Sequence, residues 1–370
     1  MTTDRESGTT SPPGSSARKR VVRAVAAVVV VVVVFGWLLP QIIDYELVWE
    51  AMTSLTWEEL LLLCLLTLLR VPTEAMIYRA MLPGLRLLLG SEAYLSSNVA
   101  ANVLPPPAPS VIQYSYFRAD GFDGRDSMTG AVGSFVFPQA GRIVLPIVAF
   151  VVLLITGGVD TEAVVITVIS VVLVVVVAVL IWFIGRGEAS ARWVGHHLGR
   201  FVSWLMVRFS KEPVGDLGDQ VVEFRDNAFV VVRRRWAIGS IAVTLNLALT
   251  YLILVASLRF VGIEQSQLGL AAIFAAFAVA FFAGVVIPLT GSGLGVVDVV
   301  MISTLSASTT GSVDVNVIVA AVVLWRVFYS LLAFFPGIFT LTRFTKTHGD
   351  LLKAASSELG VQADVDFGET

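Results

Sequence analysis

EAYLSSNVAANVLPPPAPSVIQYSYF, residues 92–117, decides how this chain folds. The stretch is apolar, yet Pro105, Pro106, Pro107 and Pro109 fall at its centre. Proline lacks a backbone donor and its ring clashes with the preceding turn, so no single helix runs through NVLPPPAPS at 102–110. Interrupted backbone at membrane depth is tolerated only where protein or a watery cavity surrounds it. The stretch therefore reads as a helix pair that dips into a bilayer and returns to the same side.

The rest of the chain supplies the bilayer. Hydrophobic residues make up 56% of the 370 and charged residues 14%. Mean hydropathy is +0.84. A soluble domain carries roughly 25% charged residues, so this chain has too little polar surface to cover a globule in water. Its apolar blocks reach the roughly 20 residues that span a hydrocarbon core. Full crossings are expected at 21–43, 60–78, 128–156, 163–185, 237–258 and 316–341. Arg18, Lys19, Arg20 and Arg23 open the first, which is too long for a signal peptide and lacks a small-residue exit. A second interrupted segment covers 268–305. Apolar residues 268–288 end at Val-Ile-Pro-Leu-Thr, GSGLGVVD follows at 291–298, and the apolar piece beyond it is short. About 12 residues of helix rise only about 18 Å, too little to cross.

Lys and Arg concentrate in cytoplasmic connections. With the N-terminus inside and both interrupted segments dipping rather than crossing, 21 Lys and Arg lie inside and only Arg259 lies outside. Arg70, Arg142 and Arg326 lie within crossings. A full crossing at 92–117 would instead put the nine cations of 186–236 outside. The expected fold is an all-α polytopic membrane protein: six full transmembrane helices plus two re-entrant hairpins, with both termini cytoplasmic.

The crossings and dips form two trios of opposite orientation, at about 60–156 and 237–341. Pro105 precedes Arg142 by 37 residues and Pro288 precedes Arg326 by 38. Inverted repeats with paired broken helices point to a transport site near the midplane. Residues 1–20 read as a disordered tail and 342–370 as a polar tail. Within the cytoplasmic segment 186–236, Trp193, Val194, Leu198, Phe201, Val202, Leu205 and Phe209 recur at helical spacing. That pattern fits an amphipathic helix in the membrane interface, or equally a small cytosolic hairpin.

Arginine inside a crossing is costly and usually faces a bundle interior or cavity. Arg142 and Arg326 are thus candidates to hold an anionic headgroup, since the guanidinium fork matches phosphate oxygens. Pairing with Asp298, or with carbonyls freed by a broken helix, is the structural alternative. Asp298 begins a short helix, where it caps the helix end or serves as a proton-titrating or arginine-pairing carboxylate. Gly291, Gly293 and Gly295 permit a tight turn whose backbone donors suit phosphate. Asn98 and Asn102 flank the first break and can satisfy its orphan groups. Arg70 and Glu74 are four apart around Pro72 and read as a local ion pair. Arg233–Arg235 read as a topology anchor with some attraction for anionic lipid.

Several functions are excluded or left without support. The net charge of −3 carries no nucleic-acid footprint. Cys64 is the single cysteine, and His196, His197 and His348 have no partners at metal spacing. GSGLG is no dinucleotide loop, because its flanks are membrane helices rather than a βαβ unit. No nucleophile elbow, zinc-protease helix or phosphate loop is present, so neither an enzyme nor a cofactor is expected.

VVIPLTGSGLGVVDVVMISTLSAS at 285–308 and VIVAAVVLWRVFYSLLAFFPG at 317–337 resemble the lysylphosphatidylglycerol synthase transmembrane domain family, the flippase-like integral membrane proteins. The matching positions are Pro288, Thr290, Gly291, Ser292, Gly293, Leu294, Gly295, Asp298, Arg326, Pro336 and Gly337, with Asp298 replacing the family's Glu. In the first half Asn102, Leu104, Pro105 and Arg142 match. Pro107, Pro109, Ser110 and Gln113 stand where Arg, Gly, Glu and Arg are usual. The resemblance spans about residues 20–345. It implies movement of lipids across the cell membrane, with Asn102, Pro105 and Thr290 joining Arg142, Arg326, the glycines and Asp298 at the substrate. Anionic lipids, aminoacylated phospholipids and polyprenyl-linked glycolipids are the implied cargo. A lipid-modifying or glycosyl transferase is the implied partner. The family's soluble aminoacyl transferase domain is not expected in the 29 residues after the last crossing. Two rival readings are an ion-coupled transporter of a small anionic solute and a non-transporting membrane partner of a transferase.

Overall fold

The computed structural model describes residues 50, 53, 55–103, 108–156, 172, 175, 179, 182, 183, 186–208, 218–287, 292, 293, 295–311 and 313–358. Among these the protein is all-helical. Its helices are α1 (Trp57–Met81), α2 (Leu87–Val103), α3 (Ala108–Ala119), α4 (Gly124–Thr156), α5 (Glu188–Arg208), α6 (Gly218–Phe260), α7 (Leu270–Val286), α8 (Val296–Ala307), α9 (Val315–Arg326) and α10 (Phe334–Glu358). A π-helical turn, Val327–Leu331, joins α9 to α10.

Four of these stretches are long and apolar enough to cross a membrane: Trp57–Met81, Gly124–Thr156, Trp236–Phe260 and Val315–Leu352. They coincide with the expected crossings at 60–78, 128–156, 237–258 and 316–341. The expected crossing at 21–43, the tail at 1–20 and most of 163–185 lie outside the described residues. The two interrupted segments are each a 17-residue helix followed by a 12-residue helix, α2 with α3 and α7 with α8. A 12-residue helix is about 18 Å long and a 17-residue one about 26 Å, both short of a bilayer core.

Local chemistry sets the ends. Thr56 caps α1 in a capping box: Glu59 Oε2 accepts from the Thr56 amide at 2.8 Å and Thr56 Oγ1 accepts from the Glu59 amide at 3.4 Å. Asp314 caps α9 by accepting from the Asn316 amide at 2.9 Å. Pro72 sits inside α1 and Pro138 and Pro146 inside α4 without ending either helix. Neighbouring helices can re-satisfy the carbonyls such prolines free.

The 186–236 segment holds α5 and the start of α6, and α5 packs on α6, as in the helical-hairpin alternative. Helical backbone continues into the expected polar tail at 342–370 as far as Glu358, with a kink at His348. Phe344 before the kink and Leu352 and Ala355 after it are buried. The charged residues between them mask these apolar positions in a hydropathy average.

Packing places the two halves face to face. α1 lies along α6, α2 against α10, and α7 against α4. One core joins α6 to α9 and includes Leu254, Phe277, Met301 and Trp325. The other joins α1 to α3 with α10 and includes Ile77, Tyr114, Phe117 and Phe344. Leu61, Leu65 and Leu68 are exposed on the outer face of α1, as suits contact with lipid tails. α2 and α10 cross closely at Gly337, where a Cβ would stand 2.3 Å from the Leu95 carbonyl oxygen.

Candidate functional site

The two interruptions meet. The Ser292 amide, at the second break, donates to the Ala101 carbonyl at 3.0 Å, next to the first. Asn102 carries the junction further. Its Nδ2 donates to the Asn98 carbonyl at 2.8 Å and to Asn98 Oδ1 at 2.9 Å, while its Oδ1 accepts from Ser330 Oγ at 2.7 Å. Asn98 and Asn102 thus serve each other at the end of α2 and tie it to the π turn.

Beside this junction lies an open cavity of about 120 Å³. Its wall carries Arg70 and Glu74 from α1, Tyr94 and Asn98 from α2, Arg142 from α4 and Tyr329 from the π turn. Three of these are charged. Arg70 is 4% exposed. It donates through Nη1 to the Tyr329 carbonyl and through Nη2 to the Tyr94 hydroxyl at 2.9 Å. Its guanidinium lies 4.4 Å from the Tyr329 ring centroid, within cation–π range. Glu74 stands 3.6 Å from Arg70 Nη2, an ion pair outside hydrogen-bond length. Arg142 donates to Gln139 Oε1 at 2.9 Å and lies 5.2 Å from the Phe281 ring. Among the described residues its buried Nε–H has no partner.

The π turn explains how Arg70 reaches backbone. The Leu332 amide bonds to the Val327 carbonyl five residues back, at 2.8 Å. This wider register lets carbonyls near it turn outward, and such turns cluster at functional sites. Thr67 Oγ1 donates to the Phe328 carbonyl at 3.0 Å, one residue before the carbonyl that Arg70 holds.

The remaining candidates sit apart from the cavity wall. Arg326, 7% exposed, donates through Nε at 2.7 Å and Nη2 at 2.5 Å to Asp298 Oδ1. Asp298 Oδ2 accepts from the Gly295 amide at 2.9 Å. Capping and arginine pairing by Asp298 are therefore realised at once, at α8 and at Arg326. Arg326 and Asp298 do not line this cavity, so the structure separates the two arginines that the repeat spacing brings together. Gly293 and Gly295 have left-handed backbone, at φ +71° and +91°. Gly293 also meets Val297 closely: a Cβ there would stand 2.7 Å from the Val297 side chain. Pro105, Thr290 and Gly291 lie outside the described residues.

Arg70 and Glu74 form the local pair that the sequence suggests, at 3.6 Å, and the structure also places both on the cavity wall. The signal was present: Arg70 is the third arginine in a crossing, subject to the same cost argument as Arg142 and Arg326. Tyr94, Tyr329 and Gln113 carried no signal of their own. Gln113 donates to the Tyr78 hydroxyl at 2.9 Å and lines the cavity. Among the described residues no cluster of metal-binding side chains occurs.

Helices long enough to span a bilayer, arranged round a cavity with buried arginines, define a multi-pass helical membrane protein. Residues 24–337 match the family model of the lysylphosphatidylglycerol synthase TM region. The chain belongs to that family. No curated protein matches it.

Proposed function

We propose that the protein moves an anionic phospholipid or lipid-linked intermediate across the cell membrane. The headgroup occupies the cavity beside the two interruptions while the tails stay in the bilayer. The observation that carries this reading is the wall itself. Two guanidinium groups, Arg70 and Arg142, stand on an open cavity at the junction of the two halves. Among the described residues Arg142 retains an unpartnered N–H. Arginine in that setting is suited to phosphate oxygens.

In this reading α2–α3 and α7–α8 are re-entrant hairpins entering from opposite sides, within six crossings and with both termini cytoplasmic. Their matched helix lengths, 17 then 12 residues, support an inverted repeat. So does the reciprocal packing of α2 on α10 and α7 on α4. Rocking of one half against the other then alternates access to the cavity. The Arg326–Asp298 pair holds the second hairpin in register instead of touching the headgroup. A transferase that makes or uses the lipid is the natural partner.

The test is reconstitution into vesicles containing fluorescent phosphatidylglycerol, with quencher added outside. Wild-type protein is expected to expose inner-leaflet probe faster than protein-free vesicles, and Arg142→Ala to return most of the way to that baseline. Equal rates for wild type and Arg142→Ala would remove the cavity from the mechanism. Accumulation of a soluble anion with no lipid movement would overturn the lipid reading.

A further inference from the structure

We propose that Glu74 is the specificity-determining residue of this cavity, restricting it to headgroups of single negative charge: a phosphodiester is accepted and a terminal phosphate rejected. The inference rests on the lipid-headgroup reading above. The described charged residues of the wall are Arg70, Glu74 and Arg142. Two positive charges and one negative leave a net of one positive. Asp298, the acid of the second hairpin, is committed to Arg326 and does not alter that sum. Arg142 donates to a neutral side chain, Gln139, and interacts through space with Glu74, which Arg70 also faces, so one carboxylate serves two guanidinium groups.

Away from bulk water, uncompensated charge is costly, so a ligand is favoured when it brings the cavity to neutrality. A phosphodiester carries one negative charge and does so. A phosphomonoester carries about −1.5 to −2 at pH 7 and overshoots. The overshoot falls on Glu74, which is part-buried on the same wall with its side chain 16% exposed. Glu74 is well placed for this role because its link to Arg70 is loose. Arg70 keeps its bonds to the Tyr329 carbonyl and the Tyr94 hydroxyl whether or not position 74 is charged.

The experiment compares fluorescent phosphatidylglycerol, a phosphodiester, with fluorescent phosphatidic acid, a phosphomonoester, in the same vesicle assay. Wild type is expected to move phosphatidylglycerol in preference. Glu74→Gln is expected to raise the phosphatidic acid to phosphatidylglycerol rate ratio about tenfold, the scale of one charge interaction across a cavity. Gln139→Glu tests the same idea without touching α1. It brings the wall to net zero and is expected to slow phosphatidylglycerol as well. A selective wild type whose ratio is unchanged in Glu74→Gln, or an unslowed Gln139→Glu, overturns the inference and leaves lipid transport standing. A wild type that moves neither lipid overturns both.

Discussion

Arg70 and Tyr329, 259 residues apart, are joined twice: by a bond from the guanidinium to the Tyr329 carbonyl and by the stacking of that guanidinium over the Tyr329 ring. The contact ties α1 of the first half to the π turn of the second. It places a charged side chain on the cavity wall while two of its five N–H donors go to the protein.

Arg70 should therefore be essential for stability as well as for transport. Arg70→Met leaves the Tyr329 carbonyl and the Tyr94 hydroxyl short of a donor, at about 1–3 kcal/mol for each buried group. Tyr94→Phe removes one of those bonds and should cost about 1 kcal/mol. Thermal unfolding in detergent is expected to rank wild type above Tyr94→Phe and Tyr94→Phe above Arg70→Met. A variant Arg70→Met as stable as wild type would show the link to be dispensable.

Asp298 and Arg326 should behave as a coupled pair. Asp298→Asn keeps an acceptor for the Gly295 amide but strips Arg326 of its counter-charge. Breaking a buried pair from one side costs about 3–5 kcal/mol. Replacing both, as Asp298→Asn with Arg326→Met, is expected to recover much of that loss. A double-mutant cycle on melting temperature measures it, and simple additivity would deny the coupling.

Gly337 should tolerate no side chain. A Cβ at this position would meet the Leu95 carbonyl oxygen at 2.3 Å and the Val99 side chain at 2.8 Å. Gly337→Ala must push α10 away from α2, with a cost of about 1–3 kcal/mol as for other overpacked contacts. The expected readout is a lowered melting temperature. An unchanged one would mean that the two helices separate freely.

The hairpin topology is open to labelling. In a Cys64→Ser background, Arg125→Cys lies in the first turn of α4, just past the α3–α4 connection, and Ser266→Cys lies between α6 and α7, both exposed. An impermeant thiol reagent added to intact cells is expected to modify position 266 and spare position 125. Modification of both from outside would mean that 92–117 crosses fully, and the opposed-hairpin arrangement would be lost.

Much of this molecule was determined by its residues read in order. The excess of apolar residues required a bilayer, and the prolines at 105–109 and the glycines at 291–295 forbade continuous helices there. Such conclusions depend on neighbours along the chain: an apolar run buries its own backbone bonds, and a proline breaks the helix it sits in. The family stretch from Pro288 to Gly337 was legible for the same reason. Partnership was not. Whether Arg326 would meet a headgroup or Asp298, and whether Arg70 would close on Glu74 alone or also on Tyr329, turned on helix crossing and rotation. Those are set by side-chain packing between segments hundreds of residues apart, as where Gly337 lets α10 touch α2. Only the tertiary structure therefore put Arg70, Glu74 and Arg142 on one wall and moved Arg326 off it.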